Sequence, residues 1–307
     1  MLWVEQPVGT GFSTGKVEAK NERDVAKDFV DFFKNFEKLF GIKNYKTYVT
    51  GESYAGRYVP YIAAEMLDRK DTEYFDVGGA LVYDPCIGSF VIVGQEIPTY
   101  PFVLANQEIL GLDQDTLDKM ENMHNKCGYA DFIDKYMTFP PPGNQPAEPV
   151  YNYGKCDVFD MYYNAITKKN PCFNVYHITD YCPFLGDVAS NPGGLSCLPQ
   201  TPYFNRTDVK KALHAPLDVS WTECADHAVF LGKTNKNGIG AGPEGENDRS
   251  ADPIQHVLPQ VIEATNRVIV SNANWDGLLL TNGTLLSIQN MTWNGQLGKH
   301  IHEFLSM

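Results

Sequence analysis

Residues 48–56, Tyr48-Val49-Thr50-Gly51-Glu52-Ser53-Tyr54-Ala55-Gly56, decide the fold class of this chain. A β-branched and aromatic run ends at Gly51, one serine follows among small residues, and the sequence then turns helical. A strand that reverses sharply into a helix leaves the residue at its tip, here Ser53, on a strained backbone with its hydroxyl exposed. The neighbours two before and two after must then be small. Gly51 and Ala55 meet that demand, and Gly56 lets the helix pack close to the strand. The Tyr54 amide would face a reacting carbonyl as half of an oxyanion hole. G-x-S-x-[GA] also arises by chance, so the reading depends on its surroundings.

Upstream, Trp3-Val4-Glu5-Gln6-Pro7 reads as a strand running into the Gly-rich loop Val8–Ser13. No G-K-[ST] follows, so a phosphate loop is not indicated. From Asn21, Val25, Phe29, Phe32, Phe33, Phe36 and Phe40 recur at helical spacing, and Gly41 ends the run as a C′ glycine. Such an aromatic stripe is expected to be a buried face. Downstream, a helix continues through Tyr58 to Arg69, with Pro60 opening or kinking it, and residues 75–84 make the next strand. Residues 267–270 form one more buried strand, ending in Ser271–Gly277. The alternation predicts an α/β fold: a mostly parallel sheet with helices on both faces.

Asp276 falls just past the carboxyl end of that late strand, where open α/β sheets place functional groups. It would equally cap the helix that follows, and position alone does not separate the two. Between residues 95 and 202 the pattern changes. Helical sequence over Gln114–Asn125 gives way to Phe139-Pro140-Pro141-Pro142-Gly143-Asn144 and then to a cysteine-bearing, Tyr-rich stretch. The expectation is a disulfide-bearing insertion, 95–202, set into a discontinuous core of residues 1–94 and 203–307.

Composition narrows the function classes. The 307 residues are 43% hydrophobic, which suits a globular core, and the net charge of −13 argues against nucleic-acid partners. No apolar run approaches the ~20 residues that span a bilayer. Glu5 interrupts the opening Met-Leu-Trp-Val too soon for a signal peptide. Seven cysteines without a C-x-x-C pair point to disulfides, not zinc, and no metal or organic cofactor is indicated. Sequons at Asn205, Asn282 and Asn290 agree with a secretory route, vacuolar or extracellular. An odd cysteine total leaves one without a partner in the chain.

Glu5-Gln6-Pro7-Val8-Gly9-Thr10-Gly11-Phe12-Ser13 and Gly51-Glu52-Ser53-Tyr54-Ala55-Gly56-Arg57-Tyr58-Val59-Pro60 resemble the serine carboxypeptidases, which are α/β-hydrolase exopeptidases. Phe204-Asn205-Arg206-Thr207-Asp208-Val209 with Ala212-Leu213-His214 is similar to a third segment of that family, and the stretch reaching Asp276 to a fourth. Phe139–Gly143 is similar to its fungal branch. The resemblance implies release of C-terminal residues from peptides by acyl-enzyme chemistry. It implies Ser53 as nucleophile, Asp276 as triad acid, and Glu52 as the carboxyl that holds the substrate's terminal carboxylate. Two carboxyls in contact must share a proton, so Glu52 is expected to be buried and the recognition to favour mild acid. The plainer reading of Glu52 is a solvated residue at a helix start.

Two pieces of the family pattern are not found. The triad histidine lies in Gly-His-x-Val-Pro beyond the acid, and the second oxyanion donor in Asn-Gly-Gly-Pro-Gly upstream of Glu5. Only His300 and His302 follow Asp276, in a context that does not match. The expectation is therefore a carboxypeptidase truncated at both ends and inactive as it stands, with an upstream cysteine as the implied partner of Cys224. An acyltransferase on the same scaffold and a non-catalytic glycosylated binding homologue are the alternatives. A lipase or esterase would more often carry an apolar residue before the serine.

Overall fold

The first helix, α1 (Glu22–Phe40), starts where the Asn21 side chain accepts the Asp24 amide and stops at Gly41, which is left-handed at φ 66°. The computed structural model describes residues 1–146, 155–180, 201–222, 225, 227–231 and 248–299. After α1 come β1 (Lys46–Glu52), α2 (Ala55–Arg69), β2 (Asp76–Tyr83), and a π-helical turn over Phe90–Glu96. The helices α3 (Ile97–Ala105), α4 (Gln107–Leu110), α5 (Gln114–Lys126), α6 (Tyr129–Tyr136) and α7 (Val158–Lys169) follow. The remainder holds α8 (Thr207–Leu213), α9 (Val257–Thr265), β3 (Val268–Ser271), α10 (Thr281–Gln289) and the two-residue strands β4 (Thr292–Trp293) and β5 (Gln296–Leu297).

The sheet has the order β1-β2-β3, and both pairings are parallel. Glu52 lies opposite Tyr83, and Tyr83 opposite Ser271, so the carboxyl ends of the three strands align. A parallel pair needs a crossover, and α2 supplies it between β1 and β2. Val49, Ala80 and Val82 turn towards α2 and α9, and α1 packs outside α2. On the opposite face Tyr48, Tyr83 and Ile269 are exposed among the described residues. A second apolar core gathers Ile97, Val103, Met120, Tyr129, Val158 and Tyr162 from α3, α5, α6 and α7. Glu96 anchors it: its carboxylate accepts the Phe159 amide at 3.0 Å at the start of α7, and burial pushes the carboxyl up to about 7.

Two local expectations are corrected. The buried face of α1 is Glu22, Val25, Ala26, Val30 and Glu37, while Phe32 and Phe40 are exposed. Residues 22, 26, 30, 33 and 37 lie along one line of a 3.6-residue helix, so Phe29 and Phe33 pack against the core while Phe32 and Phe40 fall to its border. There Phe36 packs on Phe40 at 4.7 Å between ring centroids. Trp3–Pro7 is not a strand either. The Glu5 backbone oxygen accepts from Ser13 Oγ at 2.6 Å, and its carboxylate accepts from Phe12 N at 2.6 Å and from the Trp221 indole, while no strand among the described residues pairs with this segment.

Cys127 and Cys156 form a disulfide with sulfurs 2.07 Å apart, joining the end of α5 to the approach to α7. Cys172 is also disulfide-bonded. Cys86 is buried and free. Cys224 and its implied upstream partner fall outside the described residues. No helix among the described residues is long and apolar enough to cross a membrane.

Candidate active site

Ser53 sits between β1 and α2 at φ 60°. A non-glycine residue there costs on the order of 1–3 kcal/mol unless its surroundings hold it. Three backbone hydrogen bonds do so. Ser53 N donates to Tyr83 O at 2.9 Å, and Ser53 O accepts from Gly56 N at 2.9 Å and Cys86 N at 3.0 Å. The strained turn is thus stitched to the end of β2 and to the segment beyond it. Glycine is required nearby for contact reasons. A Cβ on Gly56 would lie 2.5 Å from Cys86 N and 2.7 Å from Pro85 Cβ, and one on Gly51 would lie 2.4 Å from Ala55 Cβ. Cys86 is buried directly behind the elbow, and burial pushes its thiol up to about 12, so it is no rival nucleophile.

Tyr54 precedes the first turn of α2, and its amide bonds to no acceptor among the described residues. An unused N–H beside Ser53 at a helix N-terminus is the donor that an oxyanion calls for. Glu52, the last residue of β1, is exposed, contrary to the burial expected of it. It ends a strand whose outer face no described element covers, so its carboxylate points into open space.

Asp276 lies five residues past the end of β3 at the same edge of the sheet and is 5% exposed. Its Oδ1 accepts from Leu278 N at 2.7 Å and Leu279 N at 3.1 Å. The carboxylate therefore caps the turn before α10, not α10 itself, whose N-cap is Leu280. Burial pushes Asp276 up to about 7, with repulsion from Asp84 and Glu52 adding to it, although the two amides act in the opposite sense. Among the described residues no histidine is hydrogen-bonded to Asp276, and His300 and His302 lie outside them.

The turn that carries Asp276 is held from both cores, and sequence reasoning missed the residues that do this. Asp84 N donates to Ser271 O at 2.8 Å while Asp84 Oδ1 accepts Ala273 N at 2.6 Å, tying the end of β2 to the loop after β3. From the other side, Gly277 N donates to Val175 O at 2.7 Å and Ile178 N donates to Trp275 O at 3.0 Å. The buried Tyr162 hydroxyl leaves no room for a side chain at residue 277, where a Cβ would lie 2.5 Å from it. An aspartate at the β2 terminus was the available signal for Asp84. The contacts from 175–178 join residues a hundred positions apart, and no local pattern announces them.

Ser53 on a strained strand-to-helix turn, the Tyr54 amide beside it without an acceptor among the described residues, and the buried Asp276 lie at one edge of the sheet, and the comparisons with known proteins show the family to which this fold belongs. A profile described as serine carboxypeptidase matches residues 1–303. The chain is 54% identical over 301 residues to serine-type carboxypeptidase F of Aspergillus niger, covering 97% of this chain and 55% of that protein. It is 40% identical over 302 residues to a carboxypeptidase Y homolog of Arthroderma benhamiae, covering 97% and 55%. In fold it is similar to a prohormone-processing carboxypeptidase from Saccharomyces cerevisiae, at a TM-score of 0.62 and 24% identity over 96% of this chain and 60% of that one. The chain spans about half the length of the relatives that it matches in sequence. With the elbow, the parallel sheet and a match along nearly its whole length, the chain belongs to the serine carboxypeptidase family.

Proposed function

We propose that the protein carrying this chain is a serine-type carboxypeptidase that releases C-terminal residues from peptides. The observation that carries the reading is Ser53 at φ 60°, held by Tyr83 and Cys86 at the sheet edge where Asp276 is buried. Ser53 Oγ attacks the last peptide carbonyl, the amide of Tyr54 stabilises the oxyanion, and the terminal amino acid leaves with a proton on its nitrogen. Water then hydrolyses the Ser53 ester. Asp276 orients and balances the base that takes the Ser53 proton. Glu52, one residue before the nucleophile and exposed at the end of β1, is the side chain that meets the substrate's terminal carboxylate.

A discontinuous core, 1–94 and 203–307, carries an insertion, 95–202, whose apolar cluster also takes in Ile92, Val93 and Leu286 of the core, and whose residues 175–178 brace the Asp276 turn. The Cys127–Cys156 disulfide and three sequons support passage through the secretory pathway to a vacuole or the exterior.

A fluorophosphonate probe and blocked dipeptides test the reading together. The expected outcome is covalent labelling of Ser53 and release of the C-terminal amino acid, both lost in Ser53→Ala. Labelling at another serine, or dipeptide hydrolysis that survives Ser53→Ala, would overturn it.

A further inference from the structure

Behind the elbow lies a buried polar cluster that the proposed chemistry does not use. Glu22, the first residue of α1, is fully buried, and neither carboxyl oxygen has a hydrogen-bond partner among the described residues. The Asp248 side chain is 2% exposed. Ser250 bridges the two: Glu22 N donates to Ser250 Oγ at 2.6 Å, and Ser250 Oγ donates to Asp248 Oδ1 at 2.5 Å. Asp248 Oδ2 accepts the Tyr54 hydroxyl at 3.2 Å and lies 3.8 Å from Arg57 Nε. Arg57 Nη2 donates to Asp252 Oδ1 at 2.8 Å. Tyr54 and Arg57 flank the start of α2, so the bonds from Asp248 and Asp252 end within four residues of Ser53.

The charges do not balance unless a proton is added. One guanidinium, Arg57, faces three carboxyls, Glu22, Asp248 and Asp252. The phenols of Tyr54, Tyr58 and Tyr61 border them, Cys86 borders Tyr58, Arg23 lies over the Tyr61 ring at 5.9 Å, and Arg249 adjoins Asp248 along the chain. A buried carboxylate without a donor neutralises instead of persisting as an anion. Burial and the nearby Asp248 charge accordingly hold the Glu22 carboxyl well above its usual range.

We propose that Glu22 and Asp248 are positioning residues for the nucleophile elbow, sharing one proton that latches the start of α1 to residues 248–252 and thereby fixes Tyr54 and Arg57 beside Ser53. With the proton present, Glu22 donates to Asp248, whose Oδ2 accepts the Tyr54 hydroxyl and faces Arg57. Without it, a third carboxylate stands beside one guanidinium, and repulsion drives the 248–252 segment from α1. The unfolded chain gives up the Glu22 proton near its ordinary 4.5, and the folded chain gives it up at higher pH. The latch is therefore fully closed below 4.5 and opens as pH rises through the elevated folded value. The consequence for catalysis rests on Ser53 as nucleophile, whereas the latch is read from exchange and melting, so either reading can fail without the other.

The experiment follows amide hydrogen exchange at Gly56 and Arg57, corrected for intrinsic rates, with thermal melting of the whole chain at pH 5 and pH 8. In the wild type, protection should fall by about tenfold or more from pH 5 to pH 8, with a matching drop in melting temperature. Glu22→Gln supplies an amide donor to Asp248 at every pH and should make the fall at Gly56 and Arg57 smaller than in the wild type. Asp248→Asn should do the same, whereas Glu37→Gln, at the other buried carboxyl of α1, should lessen the drop in melting temperature but not the fall in protection at these two amides. An unchanged fall in Glu22→Gln, or no fall in the wild type, overturns the proposal. So does failure of both Glu22→Gln and Asp248→Asn to fold at pH 5, since an amide proton should replace the shared one.

Discussion

Replacing Asp276 by Asn should make the protein more stable at pH 8 and leave it unchanged at pH 3. Asparagine keeps an oxygen to accept from Leu278 N and Leu279 N, so the turn survives, and only the buried charge is removed. Asp276 is raised from its ordinary 3.8 to about 7, so the folded state holds a proton that the unfolded state has already released. Its contribution is fully present below 3.8, declines as pH rises through about 7, and is flat above that. At about 1.36 kcal/mol for each pH step, the span from 3.8 to about 7 sets a ceiling of about 4 kcal/mol. Relaxation and water entry lower the expected gain at pH 8 to about 2–4 kcal/mol. Urea unfolding at pH 3 and pH 8 reads both ends, with the slope of the transition checked for constancy. A gain of equal size at the two pH values, or none at pH 8, would refute the idea that this carboxylate is held at the site against its own preference for water.

Two further outcomes follow from contacts. Gly56→Ala places a methyl on Cys86 N and Pro85, fixed backbone that cannot move aside. Overpacking of about 1–3 kcal/mol and loss of the Cys86–Ser53 hydrogen bond, about 1 kcal/mol, should lower the melting temperature by roughly 3–6 °C; a shift within 1 °C would contradict the close packing of elbow and β2. Among the sequons, Asn205 is engaged at both ends of its amide, accepting Trp221 N and donating to Trp221 O at 2.7 Å each. A glycan there would displace the donated hydrogen, whereas Asn290 uses its oxygen towards Gln145 N at 2.9 Å and keeps its nitrogen available. Enzymatic deglycosylation in heavy-oxygen water, followed by peptide mapping of protein secreted from a eukaryotic host, should mark Asn290 and not Asn205.

The elbow was legible because its constraints are local. A tip residue in a left-handed turn and small neighbours two positions away are facts about adjacent residues, and Ser53, Gly51 and Gly56 show them directly. The ends of α1 were equally plain from Asn21 and Gly41. What stayed hidden depends on partners far along the chain. The stripe from Phe29 to Phe40 has helical spacing, but spacing does not reveal that a line containing two glutamates faces the neighbouring helix. Glu52 looked buried because a role was attached to it, whereas its exposure depends on what covers the sheet. Asp276 was ambiguous for a better reason: its carboxylate both caps a turn and stands at the sheet edge.

These hidden groups share a chemical demand. Glu22, Glu37, Glu96 and Asp276 are all buried carboxyls held above their usual range, chiefly by burial, with Glu37, Glu96 and Asp276 at about 7. Each is more easily housed with its proton on, so each moves the balance towards the folded state as the medium becomes acidic. They also lie on different elements: α1, the π-helical turn before α3, and the loop after β3. One such group is ordinary at an active site, where a perturbed carboxyl serves the chemistry. Four spread through both apolar cores do not serve one reaction. They couple the stability of the scaffold to acidity, separately from any reaction. Neutralising Glu22 and Glu96 as amides should broaden the range of pH over which the chain stays folded, read by urea unfolding at pH 5 and pH 8. An unchanged range would refute the view that these buried carboxyls tie the fold to acidity.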